Sequence, residues 1–324
     1  MKDFRIAQPR TVDELSALLA ESEGTMALMA GGTDLLDELK SGVSEPGTVV
    51  DLLSVQGLAE IVKSQDGLRI GPLARVAELA ESPAVSEDYP ILREAALSLA
   101  TPQLRNMGTV GGNLCQRPRC WYYRDPQTLC RKKGGASCFA AHGRNKYHAI
   151  FGGGLCHIVH PSDLAPALIS LGAKVMIGST KGDKTLPLDE FFALPSVNVR
   201  RENVLENGHF LKGILVSAKK PGQRGTYVKL KERGTWDFAV ASAAVTGTVS
   251  GRVFSEIRIV LGGVAPVPWR LRKAEDLLQG KPVTETLIAT ATQEALADAR
   301  PLAENAYKKD MAAAAVKRAV LSIL

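Results

Sequence analysis

The sequence predicts an α+β protein in two parts, and three features carry that expectation. Short strand and helix signals alternate through the first half of the 324 residues, punctuated by paired glycines. From about residue 180 the pattern turns to the two-residue alternation of antiparallel strands. Residues 272–324 are Ala/Leu-rich with helical spacing. These shifts place a first domain at 1–178, divided into 1–55 and 56–178, and a second at 179–324.

The elements follow in order. FRIAQP is a short extended piece, and Thr11 with Glu14 forms a T-x-x-E capping box ahead of the stripe Val12, Leu15, Leu18 and Leu19. TMALM then reads as a strand that runs into AGGTDLLDEL. A strand ending in Gly-Gly before a helix-like stretch suits phosphate, because glycines permit close approach and leave amide N–H groups free for an anion; a plain tight turn is the competing reading. Neither G-x-G-x-x-G nor G-x-x-x-x-G-K-[ST] is present. GTVVDLLSV, AEIVKS and GLRIGPLARVAEL form a β-rich passage, and residues 90–100 are helical. A second glycine motif, TPQLRNMGTVGGNL, spans 101–114 and carries the neutral donors Thr101, Thr109 and Asn113. Two such turns suggest a dinucleotide clamped between loops on a fold other than the Rossmann type.

HPSDLAPALISLGAKVMIGS resumes the β/α pattern. Ser162 and Asp163 are positioned to cap a helix running through Leu171, and Asp163 is equally suited to accept from a ribose or a ring. His157 and His160 read as ordinary hydrogen-bonded histidines. GSTKGDKTLPLDEFFAL is a hairpin and connector. FLKGILVSA, GTYVKLKERGTWDFAVASAAVTGTVSG and IRIVLGG supply the antiparallel strands, and the final helices break near Gly280–Pro282 and Arg300–Pro301.

Composition excludes several classes. With 45% hydrophobic and 23% charged residues the chain is neither disordered nor collagen-like. No apolar run approaches the roughly 18 residues of a membrane span. The opening MKDFRIAQPRTVDEL lacks a secretory leader, so synthesis in the cytoplasm without export by its own signal is expected. The net charge of +6 is local: residues 116–155 hold eight Lys and Arg against the single acid Asp125. All five cysteines, Cys115, Cys120, Cys130, Cys138 and Cys156, fall in or beside the same stretch with C-x4-C-x9-C-x7-C-x17-C spacing. An odd count without an export signal argues against a disulfide scaffold, and there is no C-x2-4-C knuckle of a zinc ribbon. Spacing alone leaves an iron–sulfur site, a zinc site or inert thiols open. A basic, aromatic surface for nucleic acid also competes, but Trp121, Tyr122, Tyr123 and Phe139 flank cysteines and no nucleic-acid module is visible.

Five motifs, AGGTDLL, TPQLRNMGTVGGNL, HPSDLAPAL, YVKLKERGTWDFAVASAA and LGGVAPVPWRLRKAE, occur in this order. In that order they resemble the FAD-binding medium subunits of the molybdenum hydroxylases, the xanthine dehydrogenase family, over nearly the whole chain. The insert RPRCWYY, LCRKK, SCFAA and LCHIVHPSD is similar to that of flavin subunits from bacterial periplasmic aldehyde oxidoreductases and 4-hydroxybenzoyl-CoA reductases, where it carries a [4Fe-4S] cluster.

The resemblance implies a PCMH/vanillyl-alcohol-oxidase-type FAD-binding domain of two subdomains followed by an α+β C-terminal domain. It places the cluster on Cys120, Cys130, Cys138 and Cys156 and leaves Cys115 outside the ligand set. It assigns FAD to the turn Leu28, Met29, Ala30, Gly31, Gly32, Thr33, Asp34 and Leu35. The second turn contributes Thr101, Asn106, Gly108, Thr109, Gly111, Gly112 and Asn113, with Asp163, Leu211 and Lys229 beyond it. Lys229, near the ring, would favour an anionic reduced flavin. The implied chemistry is electron relay in a heterotrimer, with the molybdenum cofactor on a large subunit, two [2Fe-2S] centres on a small one, and a small-molecule acceptor. No catalytic residue for the organic substrate is expected in this chain. Oxidation of aromatic aldehydes is the first expectation; a xanthine or N-heterocycle dehydrogenase, a 4-hydroxybenzoyl-CoA reductase, or a zinc-binding basic interaction module are the alternatives. No nucleic acid or membrane span is expected, and co-export with a twin-arginine partner would make the mature complex periplasmic.

Overall fold

The computed structural model describes residues 1–21 and 26–324; Thr25, which opens the expected TMALM strand, lies outside them. The chain begins with β1 (Arg5–Ala7), α1 (Val12–Ala20), β2 (Met26–Met29), α2 (Leu35–Ser41) and β3 (Thr48–Asp51). The three strands pair in parallel in the order β1-β3-β2, so α1 and α2 are the crossovers that parallel strands require. Thr11 Oγ1 accepts from Glu14 N at 3.1 Å, and the Glu14 carboxylate accepts from Arg10 N at 2.6 Å, so the box closes one residue earlier than the motif implies. Leu15, Leu19 and Val50 form this unit's core with Leu73 and Phe210.

The second unit holds β4 (Ile61–Ser64), β5 (Gly67–Ile70), α3 (Val76–Glu81), α4 (Pro83–Asp88), α5 (Pro90–Ser98), α6 (Pro102–Met107) and α7 (Val110–Cys115). It continues through α8 (Trp121–Arg124), α9 (Leu164–Ser170), β6 (Lys174–Gly178), β7 (Lys184–Pro187), α10 (Leu188–Phe191) and β8 (Phe210–Ser217). Its antiparallel sheet runs β4-β5-β8-β6-β7. Three expectations change here. The boundary at 178/179 fails, because β8 lies at the centre of this sheet and belongs with the first part; the next strand begins only at Gln223. The strand read across GLRIGPLARVAEL stops at Ile70, and Val76, Leu79 and Ala80 are buried on one face of α3. The second glycine motif is not an open loop. It forms two short helices, each begun by a threonine: Thr101 Oγ1 accepts from Leu104 N and Thr109 Oγ1 from Gly112 N.

The last unit is the antiparallel sheet β12-β11-β10-β9, from β9 (Gln223–Leu230), β10 (Ala241–Ser250), β11 (Val253–Gly262) and β12 (Trp269–Arg270). It packs against α11 (Arg272–Leu278), α12 (Glu285–Ala295) and α13 (Lys308–Ile323). Alternate residues of β10 enter different cores. Ala241, Ala243 and Val245 join the helices of the last unit, while Ala244 joins the core of the second. That explains why β10 is apolar on both faces and ties the units together. Among the described residues, no helix is long and apolar enough to cross a membrane.

Phe254 is fully buried in the last core, over the space that Gly247 leaves open. Phe254→Ala should cost about 3–5 kcal/mol, read as a lower urea midpoint for the whole chain.

Candidate cofactor site

A cavity of about 910 Å³ opens where the three units meet. Its walls include Leu28 to Leu35 of the first glycine turn, Gly108, Thr109, Gly112 and Asn113 of the second, Asp163 ahead of α9, and Lys229 of β9. Trp236 and Phe238, from the β9–β10 connection, close one side and remain largely exposed.

The turns pack back to back. A Cβ on Gly31 would stand 1.8 Å from the Met107 carbonyl oxygen, and Gly32 has φ +72°, a left-handed conformation that glycine adopts without strain. Among the described residues, no acceptor within the chain meets the amides of Gly31, Gly32 or Thr33. These free donors at the wall suit an anionic group. The second turn differs, because its amides are engaged: Val110 N donates to Ala74 O, Gly111 N to Pro72 O and Gly112 N to Thr109 Oγ1. It contributes shape rather than a row of donors. Asn113 Oδ1 accepts from Ser162 Oγ at 2.5 Å, and Ser162 Oγ in turn caps α9 by accepting from Ala165 N.

Four expected residues stand off the wall. Thr101 caps α6, Asn106 is exposed, and Gly111 lies against Pro72, where a Cβ would meet the ring at 2.6 Å. Leu211 is the clearest correction: it packs in the second unit's core, opposite Ile177, and does not line the cavity. Asp163 provides no side-chain cap; its carboxylate accepts from Tyr227 OH at 2.6 Å and Lys229 Nζ at 2.7 Å. Lys229 also donates to Ser98 O, and the ion pair is almost wholly buried. Lys229 is therefore neither a surface lysine nor a free cation, and the expected bare positive charge beside the ring becomes a neutralised pair.

The cysteine-rich stretch folds back beside this cavity. Cys120, Cys130, Cys138 and Cys156 converge on one small void of about 10 Å³, walled by Tyr122, Tyr123, Phe139, His148 and His157. Contact between the two thiols draws Cys138 below the ordinary thiol range and pushes Cys156 above it. His148 Nε2 lies 3.2 Å from Cys120 Sγ, and burial pulls the His148 ring down to about 4, so it is neutral at pH 7. Among the described residues, no three His, Cys, Asp or Glu side chains are placed to hold a single metal ion. Cys115 is elsewhere: it lines the large cavity, and burial raises its thiol to about 12. His160 is buried edge-on to Phe192, with Nε2 lacking a partner among the described residues.

The insert's positive charge is largely internal. Asp34 Oδ1 pairs with Arg124 at 2.6 Å and Arg119 at 2.9 Å, while Oδ2 accepts from Arg117 N at 2.7 Å. Glu38, one turn on, accepts from Tyr123 OH at 2.7 Å, and its burial raises its pKa. Glu202 pairs with Lys132 at 2.5 Å and Arg117 at 2.8 Å. Sequence reasoning assigned Asp34 to a cofactor and missed this anchoring role. The available signal was the spacing of Asp34, Asp37 and Glu38, which puts three acids on one side of a short helix.

Two family models match the chain. The FAD binding domain in molybdopterin dehydrogenase matches residues 2–216, and the CO dehydrogenase flavoprotein C-terminal domain matches 226–323. The chain is 35% identical to the aldehyde oxidoreductase FAD-binding subunit PaoB of Escherichia coli strain K12, over 100% of its own length and 98% of the relative's. It is 30% identical to the carbon monoxide dehydrogenase medium chain of Hydrogenophaga pseudoflava, over 98% and 96%. A solved structure of the Hydrogenophaga pseudoflava carbon monoxide dehydrogenase aligns with a TM-score of 0.80 at 29% identity, covering 99% of this chain and 97% of that one.

The back-to-back turns give a direct test. Gly31→Ala forces the Met107 carbonyl away and should abolish FAD retention, read as lost flavin absorbance in protein that still elutes as folded; undiminished flavin would contradict this geometry.

Proposed function

This chain belongs to the FAD-binding medium subunits of the molybdenum hydroxylase family, and from that premise we propose that it also carries a [4Fe-4S] cluster and serves as the electron exit of an aldehyde-oxidising complex. In this reading Cys120, Cys130, Cys138 and Cys156 hold the cluster. FAD lies along the cavity, with its pyrophosphate on the free amides of Gly31, Gly32 and Thr33. The supporting observation is the meeting of four cysteines, far apart in sequence, in one aromatic-walled void bound to the glycine turn through Asp34. Four thiols form the donor set of a cubane, and the absence of a C-x2-4-C knuckle in the insert favours a cluster over zinc.

When bound, FAD exchanges one electron at a time with iron–sulfur centres and two with an acceptor, while the cluster exchanges one. The chain's own residues hold and tune. The amides of the first turn bind and orient the pyrophosphate. The Asp163–Lys229 pair presents a fixed dipole at the wall instead of a net charge. Phe151, stacked on Trp269 at 5.0 Å, and the ring of Tyr122 over Phe139 help keep water from the insert. The molybdenum cofactor and [2Fe-2S] centres are assigned to a large and a small partner subunit, and the external acceptor to a small molecule. An aldehyde substrate rests on the similarity to PaoB; its pocket would lie on the large subunit.

The complex purified with its partners should show flavin bands over a broad iron–sulfur absorbance, with equal iron and acid-labile sulfide assignable to this chain. Cys130→Ser should remove that iron and sulfide and leave most FAD. Stoichiometric zinc instead, or iron untouched by the substitution, would refute the cluster assignment.

A further inference from the structure

His148 lies within the insert, 3% exposed, with Nε2 3.2 Å from Cys120 Sγ. Its ring is fixed edge-on to Trp121, with centroids 5.0 Å apart, and tilted against Tyr122. Nδ1 has no partner among the described residues. The His148 carbonyl is held by the last unit: it accepts from Asn305 Nδ2 at 3.0 Å and Lys308 Nζ at 3.1 Å. Lys308 has no solvent exposure, and its Nζ also donates to Tyr147 O at 2.9 Å and Gly263 O at 2.6 Å. Among the described residues no acidic side chain pairs with it.

A buried cation without a counter-ion is costly, and hydrogen bonds to neutral carbonyls offset only part of that cost. A local negative charge would offset the rest, and four thiolates around a cubane supply one. Burial alone draws Lys308 down to about 7, while its three carbonyl partners match the three N–H donors of an ammonium group.

We infer that His148 and Lys308 set the reduction potential of the cluster: His148 Nε2–H donates to the Cys120 sulfur, and Lys308 fixes the histidine's backbone and supplies positive charge behind it. This rests on the cluster assignment above. Ligation makes Cys120 a thiolate, and a thiolate sulfur only accepts, so the imidazole hydrogen must reside on Nε2. A donated hydrogen bond and a nearby cation both withdraw charge from the sulfur. They therefore favour the form carrying one more electron and raise the potential. The step adds one electron to the cluster and moves no proton. His148 and Lys308 are positioning residues, since neither is a ligand.

The test uses the complete holo complex, titrated electrochemically with the cluster followed by electron paramagnetic resonance and the flavin by absorbance. His148→Leu should shift the cluster midpoint to lower potential with iron, sulfide and the flavin midpoint unchanged. His148→Gln, which keeps an N–H donor, should recover part of the shift, and Lys308→Met should lower the potential in the same direction. Equal midpoints in wild type and His148→Leu at equal iron content would overturn the inference. If His148→Leu loses its cluster, equal midpoints in wild type, His148→Gln and Lys308→Met would overturn it instead. Wild-type complex with flavin but no iron or sulfide on this chain would defeat the underlying assignment, a result distinguishable from an unmoved potential.

Discussion

The architecture depends on one carboxylate. Asp34 stands at the end of the first glycine turn and takes two arginines and a backbone amide from a segment more than eighty residues later. Its partner Arg124 is only 13% exposed, so water screens this contact far less than a surface ion pair. Surface pairs contribute about 0–1 kcal/mol. Stripping one partner from a buried network costs about 3–5 kcal/mol, because the remaining charges are left uncompensated. The turn lining the large cavity and the loop gathering four cysteines are thus one mechanical unit.

A second clamp holds the far end of the insert. Asn145 and Glu304 exchange hydrogen bonds, Asn145 N to the Glu304 carboxylate at 2.8 Å and Glu304 N to Asn145 Oδ1 at 2.9 Å. Asn305 and Lys308 then grip the carbonyls of residues 147–149. The insert is pinned by the first unit at residues 117–124 and by the last unit at 145–149. Because β10 feeds side chains into the cores of the second and last units, those two cannot shift independently without exposing apolar surface. A loop of this length would otherwise carry a large ordering cost.

Much of this was legible in the sequence, and the failures share a cause. Periodicity located most helices and strands, the paired glycines marked the cavity wall, and cysteine grouping marked the insert, within which the family resemblance picked out the four thiols that meet. Each is a local signal. The position of β8 was not legible, since alternation identifies a strand but not the sheet that accepts it. Leu211 was carried over from the family resemblance alone, and the structure places it opposite Ile177 in the second unit's core, off the cavity wall. Lys229 lines the cavity, but Asp163, sixty-six residues earlier, neutralises it. The insert's basic residues read as one local positive patch, yet Arg117, Arg119, Arg124 and Lys132 face Asp34 and Glu202, and the cation that meets the His148 carbonyl comes from α13. Long-range charge pairing leaves no periodic trace.

Hydrogen–deuterium exchange on Asp34→Ala addresses the central claim most directly. If this carboxylate couples the two regions, amides at 117–124 should lose protection together with those at 30–36, while the sheet of the last unit keeps its own. Protection at 117–124 equal to that of the wild type would contradict the coupling and leave the cysteine loop as an independently folded appendage.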